Sequence, residues 1–153
     1  GSSIRSNQEQ RSGNFIIYRF ADVILMKAEA LSQINRFAEA KVLIDRIRAR
    51  ASLPASPAFS SAQAYEDYIL EERTKEFAYE GKRWFDLMRM GRRNNYARKS
   101  ELIEILLKRV PSTQQRILLS RLNDPNGWYM PIYFLELDNN FKLEQNPYYK
   151  IYE

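Results

Sequence analysis

The chain has 153 residues, 44% hydrophobic and 28% charged, with a formal net charge of +5. That length supports one domain with a sizeable core, and the charge permits an acidic partner such as nucleic acid or an anionic polymer. Cys and His are both absent, which excludes disulfides and thiolate metal sites and removes the commonest general base and metal ligand.

Residues 1–14 are polar and lack periodicity. They read as a flexible lead-in or a cloning scar, with residues 15–153 as one helical domain. No signal peptide is visible at the start, and no run of 18 apolar residues could span a membrane. Phe15-Ile16-Ile17-Tyr18 is a short apolar run leading into a helix over 19–34. In that helix Phe20, Val23, Ile24, Ala28 and Leu31 share one face, which Ala21 and Leu25 widen. Asn35 suits a left-handed turn at its end. A returning helix over 36–51 carries Phe37, Ala40, Ile44 and Ile47 at three- and four-residue steps. This pairing loosely fits a tetratricopeptide repeat, with small residues at 28 and 40 for close approach. Such a pair cannot bury its faces alone, so the next long helix must supply a further layer.

Pro54, Pro57 and several Ser make 52–61 a loop, and Ser60 or Ser61 can cap the next helix. The spacing of Leu70, Arg73, Phe77, Gly81, Trp84 and Met88 predicts one continuous helix over about 62–90, capped by Gly91. Arg73 lies in the apolar row and needs a carboxylate partner if it is buried. Gly81 would then sit mid-helix at a cost of about 1 kcal/mol relative to Ala, which predicts close approach of another backbone or ring to its bare Cα. Gly91 to Asn95 reads as a turn, 97–110 as a helix ended by Pro111, and 113–121 as a short helix capped by Ser112. Asn123-Asp124-Pro125-Asn126-Gly127 is a turn. Trp128 to Tyr133 reads as extended, 135–140 as a short turn of helix and 145–149 as coil. The fold class is therefore all-α, with tetratricopeptide-like antiparallel helix pairs and an irregular C-terminal tail.

Glu72, Glu76 and Glu80 form a row at steps of four. Paired carboxylates serve glycoside hydrolysis at about 5–5.5 Å separation, but one helix face does not normally straddle a sugar bond. Salt bridges to Arg73, Arg83 or Lys75 are the better reading. Carboxylate di-metal sites need Glu-x-x-His, and triads need a base; without His neither is available, and no cofactor or metal is expected. The 5 Gly are scattered, so no phosphate loop exists. Residues 89–99 are the densest basic patch, but only Tyr96 interleaves its cations, so a solvated helix junction is favoured over nucleic-acid binding. Trp84 and Trp128 are candidate sugar platforms whose apolar spacing favours core packing. Tyr148, Tyr149 and Tyr152 are freer to meet a partner.

The segment Glu72-Arg73-x-x-Glu76-Phe77-Ala78-x-Glu80-Gly81-x-Arg83-Trp84-Phe85-Asp86-Leu87-x-Arg89-x-Gly91 resembles the hallmark of the SusD/RagB family. Tyr18-Arg19-Phe20-Ala21-Asp22 through Ala28-Glu29-Ala30 is similar to its second hallmark. Pro131-Ile132 and Gln145-Asn146-Pro147 resemble the closing signature, with Tyr133 in place of Pro and Tyr148 in place of Gly. The resemblance implies a C-terminal portion ending near Glu153, in which Arg19, Glu29, Glu72, Arg73, Glu76, Gly81, Arg83, Trp84 and Asp86 are structural motif residues. It implies a non-enzymatic, lipid-anchored protein of the outer-membrane surface that captures oligosaccharide or another nutrient and passes it to a TonB-dependent SusC-type transporter. No nucleic acid is implied, and the membrane is met only through a lipid anchor in an N-terminal part. The alternative is a helical-repeat scaffold that docks to the transporter without binding ligand.

Overall fold

The computed structural model describes residues 17–152, and every regular element among them is helical. The expectations for residues 1–14, and for Phe15 and Ile16, lie outside the described residues. The chain divides between Gly81 and Lys82 into two compact units.

The first unit holds α1 (Phe20–Gln33), α2 (Phe37–Arg50) and α3 (Ala62–Glu76). Three residues join α1 to α2, a link short enough to force an antiparallel hairpin. Asn35 takes φ 61°. Its N–H donates to the Ser32 carbonyl and the Arg36 N–H to the Leu31 carbonyl, so a complete Schellman motif stops α1. Ser52 ends α2 in the same way, at φ 56°, with bonds from Ser52 to Ala49 and from Leu53 to Arg48. Ala28 and Ala40 are fully buried, as their size predicts. Helix α1 packs on both α2 and α3, and Ile24, Leu25, Leu31, Ile44, Ile47, Tyr65, Ile69 and Phe77 close the core. Phe20 and Val23, expected on the core face, are instead half exposed or more; Asp22, Glu29 and Ser32 are buried there.

The loop over 52–61 is pinned at two points. Arg48 Nε donates to the Pro54 carbonyl at 2.6 Å. Asp45 accepts from the Ser56 N–H at 2.7 Å and hydroxyl at 2.6 Å, and from Lys41 at 2.6 Å. Partial burial pushes the Asp45 carboxyl up, but the Lys41 and Ser56 hydrogen bonds outweigh it and hold the group below the usual carboxylate range. Ser61 Oγ accepts from the Ala64 N–H and caps α3.

One expectation fails here. The helix over 62–90 is two helices: α3 stops at Glu76 and α4 (Arg83–Tyr96) starts after a turn. Tyr79 takes φ 68° and Gly81 φ 72°, in the region that glycine occupies without steric cost. Gly81 is therefore not mid-helix, and a Cβ built on it meets nothing within 4 Å. The close approach belongs to Gly91, where a Cβ would lie 2.8 Å from Leu102 Cδ1 and 3.1 Å from the Trp128 ring.

The second unit holds α4, α5 (Lys99–Leu107), α6 (Ser112–Asn123), a 3-10 turn (Pro125–Trp128), α7 (Phe134–Asn139) and a closing 3-10 turn (Pro147–Tyr152). Gly91 is no cap; it is buried within α4, and the helical backbone breaks at Arg93, Asn94 and Asn95. Ser112 lies inside α6 without a capping hydrogen bond, and Pro111 takes the cap position. Leu87, Met90, Leu102, Leu122 and Trp128 are buried. Trp128 Nε1 donates to the Leu122 carbonyl at 2.9 Å, and Tyr96 meets its ring edge-on at 5.5 Å.

The tail is clasped by side chains. Gln145 donates to the Ile132 carbonyl and accepts from the Ile132 N–H, both at 2.9 Å. Asn146 donates to the Asn126 carbonyl at 2.9 Å and accepts from the Tyr148 N–H at 3.1 Å. Gln145 and Asn146 stay irregular as expected, but residues 147–149, also expected as coil, belong to the closing turn that Pro147 opens.

Candidate functional site

In the first unit the hallmark residues converge on Arg19, which stands at the head of α1. Arg19 Nη1 donates to Glu76 Oε1 at 2.8 Å and Nη2 to the Glu76 carbonyl at 2.7 Å. Glu80 Oε1 accepts from Arg19 Nε at 3.0 Å and from Nη2 at 2.7 Å. The Glu80 hydrogen bond, acting with Glu76 against the cost of burial, raises the Arg19 guanidinium above its already high value. All three nitrogens of this side chain thus point at the end of α3 and the turn behind it.

Asp22 links that anchor to Arg73. It is fully buried and accepts from the Arg19 backbone N–H at 3.0 Å, half of a capping box. Its other oxygen accepts from Arg73 Nη2 at 3.2 Å. Arg73 is 4% exposed, so the predicted need for a carboxylate partner is met by a residue 51 positions earlier. The Arg19 and Arg73 guanidiniums lie 4.9 and 4.7 Å from the centroid of the Phe77 ring, a cation–π arrangement strengthened by burial. Two arginines of α2 complete the array. Arg50 pairs with Glu76 at 2.5 Å, and Arg48 pairs with Glu72 at 2.5 Å.

The carboxylate row therefore finds mostly other partners than its sequence neighbours. Lys75 lies 3.8 Å from Glu72, but Arg19, Arg48 and Arg50 make the close contacts. Glu80 leaves the row altogether, because α3 ends before it. Sequence patterning alone does not single out Asp22, Arg48 and Arg50. Asp22 carries a signal, being an acidic residue three positions into a helix; the α2 arginines carry none. Glu29 is buried on α1. Gly81 closes the turn that brings Glu80 to Arg19.

The remaining motif residues lie in the second unit. Asp86 is buried and accepts from Arg89 Nη2 at 3.2 Å. Arg83 and Trp84 are half-buried at the start of α4. Trp128 is a core residue at 2% exposure.

The second unit also carries an outward-facing group. Residues 82–121 hold 11 Lys and Arg against 3 Asp and Glu. Exposed Arg92 lies over the Tyr129 ring, 5.5 Å from its centroid, and Arg92 Nη1 donates to the Tyr129 hydroxyl. Tyr129 is held in turn: its carbonyl accepts from the Tyr149 hydroxyl at 3.1 Å, which accepts from Arg121 Nη2 at 2.6 Å. Tyr148 and Tyr149 stack edge-on at 5.1 Å, and Tyr149 is thereby part of the clasp rather than free. Among the described residues no group of acidic side chains is arranged to hold a metal ion, and no helix is long and apolar enough to cross a membrane. A shallow groove of about 200 Å³ on the first unit, lined by Lys27, Leu31, Glu39, Val42 and Leu43, falls below the size usual for small-molecule sites.

Comparison with known proteins agrees with the motifs. The model of the SusD family matches residues 1–149. The chain is 35% identical over 144 residues to SusD-like protein P38 of Formosa agariphila, covering 88% of this chain and 25% of that protein. It is 38% identical over 93 residues to SusD-like protein P2 of the same organism, covering 56% of this chain and 18% of that one. The chain thus spans a quarter or less of the length of the curated relatives it matches. No solved structure matches the chain.

Proposed function

The chain belongs to the SusD family, and from that premise we propose that it is part of a glycan-binding component of an outer-membrane uptake system. The protein captures oligosaccharide at the cell surface and passes it to a TonB-dependent SusC-type transporter. It is held at the membrane by a lipid anchor in its N-terminal part. The observation that carries this reading is the family match along almost the whole chain.

The geometry favours binding over bond cleavage. Each carboxylate of the hallmark row is committed to guanidinium groups: Glu72 to Arg48, Glu76 to Arg19 and Arg50, Glu80 to Arg19. A carboxylate whose oxygens are held by two arginines has no free edge to present to a glycosidic bond. We therefore assign Arg19, Glu72, Arg73 and Glu76 a scaffold role, holding three helices in one register. Reducing sugar released from polysaccharide in proportion to protein, and lost on Glu76→Gln, would overturn the non-enzymatic reading.

A second reading has support of its own: the hallmark residues of the first unit point inward. A unit so arranged can serve as a docking scaffold for the transporter while other parts of the protein hold the ligand. Glycan-array binding of the longer protein beside that of this chain separates the two. Binding by both supports capture here; binding by the longer protein alone, with retention of the transporter by this chain, supports the scaffold.

A further inference from the structure

The Arg92–Tyr129 group has no part in the scaffold, and its chemistry is specific. Exposed Arg92 has no carboxylate partner among the described residues, and its Nη1 is occupied by the Tyr129 hydroxyl. That leaves the Nε–Nη2 edge, whose two parallel N–H groups match a carboxylate or sulfate in bidentate fashion. The guanidinium is also pre-oriented. It rests on the Tyr129 ring and bonds its hydroxyl, while the Tyr129 backbone carbonyl is held by Tyr149 and through it by Arg121, so the guanidinium has two contacts that limit its freedom before binding.

The surroundings point the same way. Asn94 and Asn95 are exposed at the break in α4 and hold φ of 50° and 53°, a region disfavoured for most residues but tolerated by Asn. Their amides offer both donors and acceptors to hydroxyl groups. The excess of 11 basic over 3 acidic residues across 82–121 raises the local concentration of anions. Exposed Arg109 and Arg116 likewise lack a carboxylate partner among the described residues. By contrast residues 1–81 carry 11 basic and 11 acidic residues, so the whole net charge of the chain resides in the second unit.

We propose that Arg92, Asn94, Asn95 and Tyr129 form a subsite for an acidic sugar, one bearing a carboxylate or a sulfate. The proposal rests on the glycan-binding reading and names its ligand class. Arg92 holds the anionic group edge-on, and the asparagine amides meet the ring hydroxyls. The net positive face steers acidic oligomers towards the subsite.

The test is calorimetric titration of the full chain at physiological salt with three probes of matched length: oligogalacturonate, a sulfated carrageenan oligosaccharide and a neutral maltooligosaccharide. The expected result is binding of one acidic probe at least about tenfold tighter than the neutral one, and the probe that binds names carboxylate or sulfate. Arg92→Gln should weaken that binding about tenfold, and Arg92→Lys should fall between, since it keeps charge but loses the fork. Arg116→Gln, an exposed cation outside the proposed subsite, should change it less than about twofold, as a contributor only to a screened field. Melting curves for each variant confirm folding. Equal binding of neutral and acidic probes, untouched by Arg92→Gln, overturns the subsite and leaves the glycan-binding reading standing. Equal affinity for single-stranded DNA overturns it as unspecific charge attraction. Absence of binding to all three probes overturns it too, while the glycan array of the longer protein judges the wider reading separately.

Discussion

The two units put several of their arginines to different use, although Arg46 of the first is also exposed and Arg89 and Arg98 of the second pair with nearby carboxylates. In the first, Arg19, Arg48 and Arg73 are partly or fully buried against carboxylates of other elements, and exposed Arg50 reaches Glu76 from outside. In the second, Arg92, Arg109 and Arg116 are exposed without a carboxylate partner among the described residues. The same residue type thus serves as an internal tie in one unit and as an outward charge in the other. What differs is the supply of acidic residues: 11 for 11 basic ones in residues 1–81, but 8 for 13 in residues 82–153. Inward arginines should govern stability, because losing one partner of a buried pair strands the other. Outward arginines should govern binding and leave stability nearly unchanged.

The largest effect should come from breaking the buried tie. Asp22→Ala removes the buried carboxylate that Arg73 Nη2 and the Arg19 backbone N–H both reach, and thermal unfolding should show a loss of about 3–5 kcal/mol. The double variant Asp22→Leu with Arg73→Met should recover part of that loss, since it removes both members of this buried pair together. A small change in melting temperature for Asp22→Ala would mean that the array is incidental.

Next come the glycines, one in each unit. Gly91→Ala places a methyl 2.8 Å from Leu102 Cδ1 and against Trp128, and such overpacking should cost about 1–3 kcal/mol. Gly81→Ala meets open space but must hold φ 72°, which should cost about 1 kcal/mol. Gly81→Leu should carry the same backbone cost, because its Cβ likewise meets nothing within 4 Å. Chemical denaturation of the three variants ranks them, and a Gly81→Leu chain that fails to fold would restore the idea of close approach at that glycine.

The smallest expected effect is the pH dependence from Asp45. Its carboxyl is held below its ordinary value in the folded state. The stability that the Lys41 and Ser56 bonds supply is therefore present above the unfolded pKa, about 3.9. It is lost as pH falls through the lower folded value. Asp45→Asn should flatten the acid limb of the stability curve below about pH 4, and an unchanged acid limb would show that the loop anchor contributes nothing.

Much of the first unit was legible in the sequence. Asn35 marked the end of α1, Ser61 the start of α3, and Ala28 with Ala40 the close helix pair. Arg73 announced a carboxylate partner by lying in an apolar row. Its identity was hidden because the pair joins residues 51 apart in sequence, and periodicity reports only neighbours on one element. The break between α3 and α4 was hidden for a related reason. Leu70, Phe77, Trp84 and Met88 keep helical spacing across a turn that is not helical, and Gly81 reads as a helix glycine unless its φ is known. The physics assigned to Gly81, a bare Cα against a ring, was sound but belongs to Gly91, the next glycine along the chain. The Arg92–Tyr129 group was legible only as a basic patch, since Tyr129 lies 37 residues further along the chain.

The contrast between inward and outward arginines is tested most directly by one pair of melts. Glu76→Gln removes the anionic partner shared by Arg19 and Arg50, and should lower stability by about 2 kcal/mol or more. Arg92→Gln removes an exposed cation, and should lower it by less than about 1 kcal/mol. Side-by-side thermal unfolding followed by far-UV circular dichroism should therefore show a clear drop for Glu76→Gln and almost none for Arg92→Gln. The reverse order, or two equal drops, would contradict the division of the arginines into scaffold and surface.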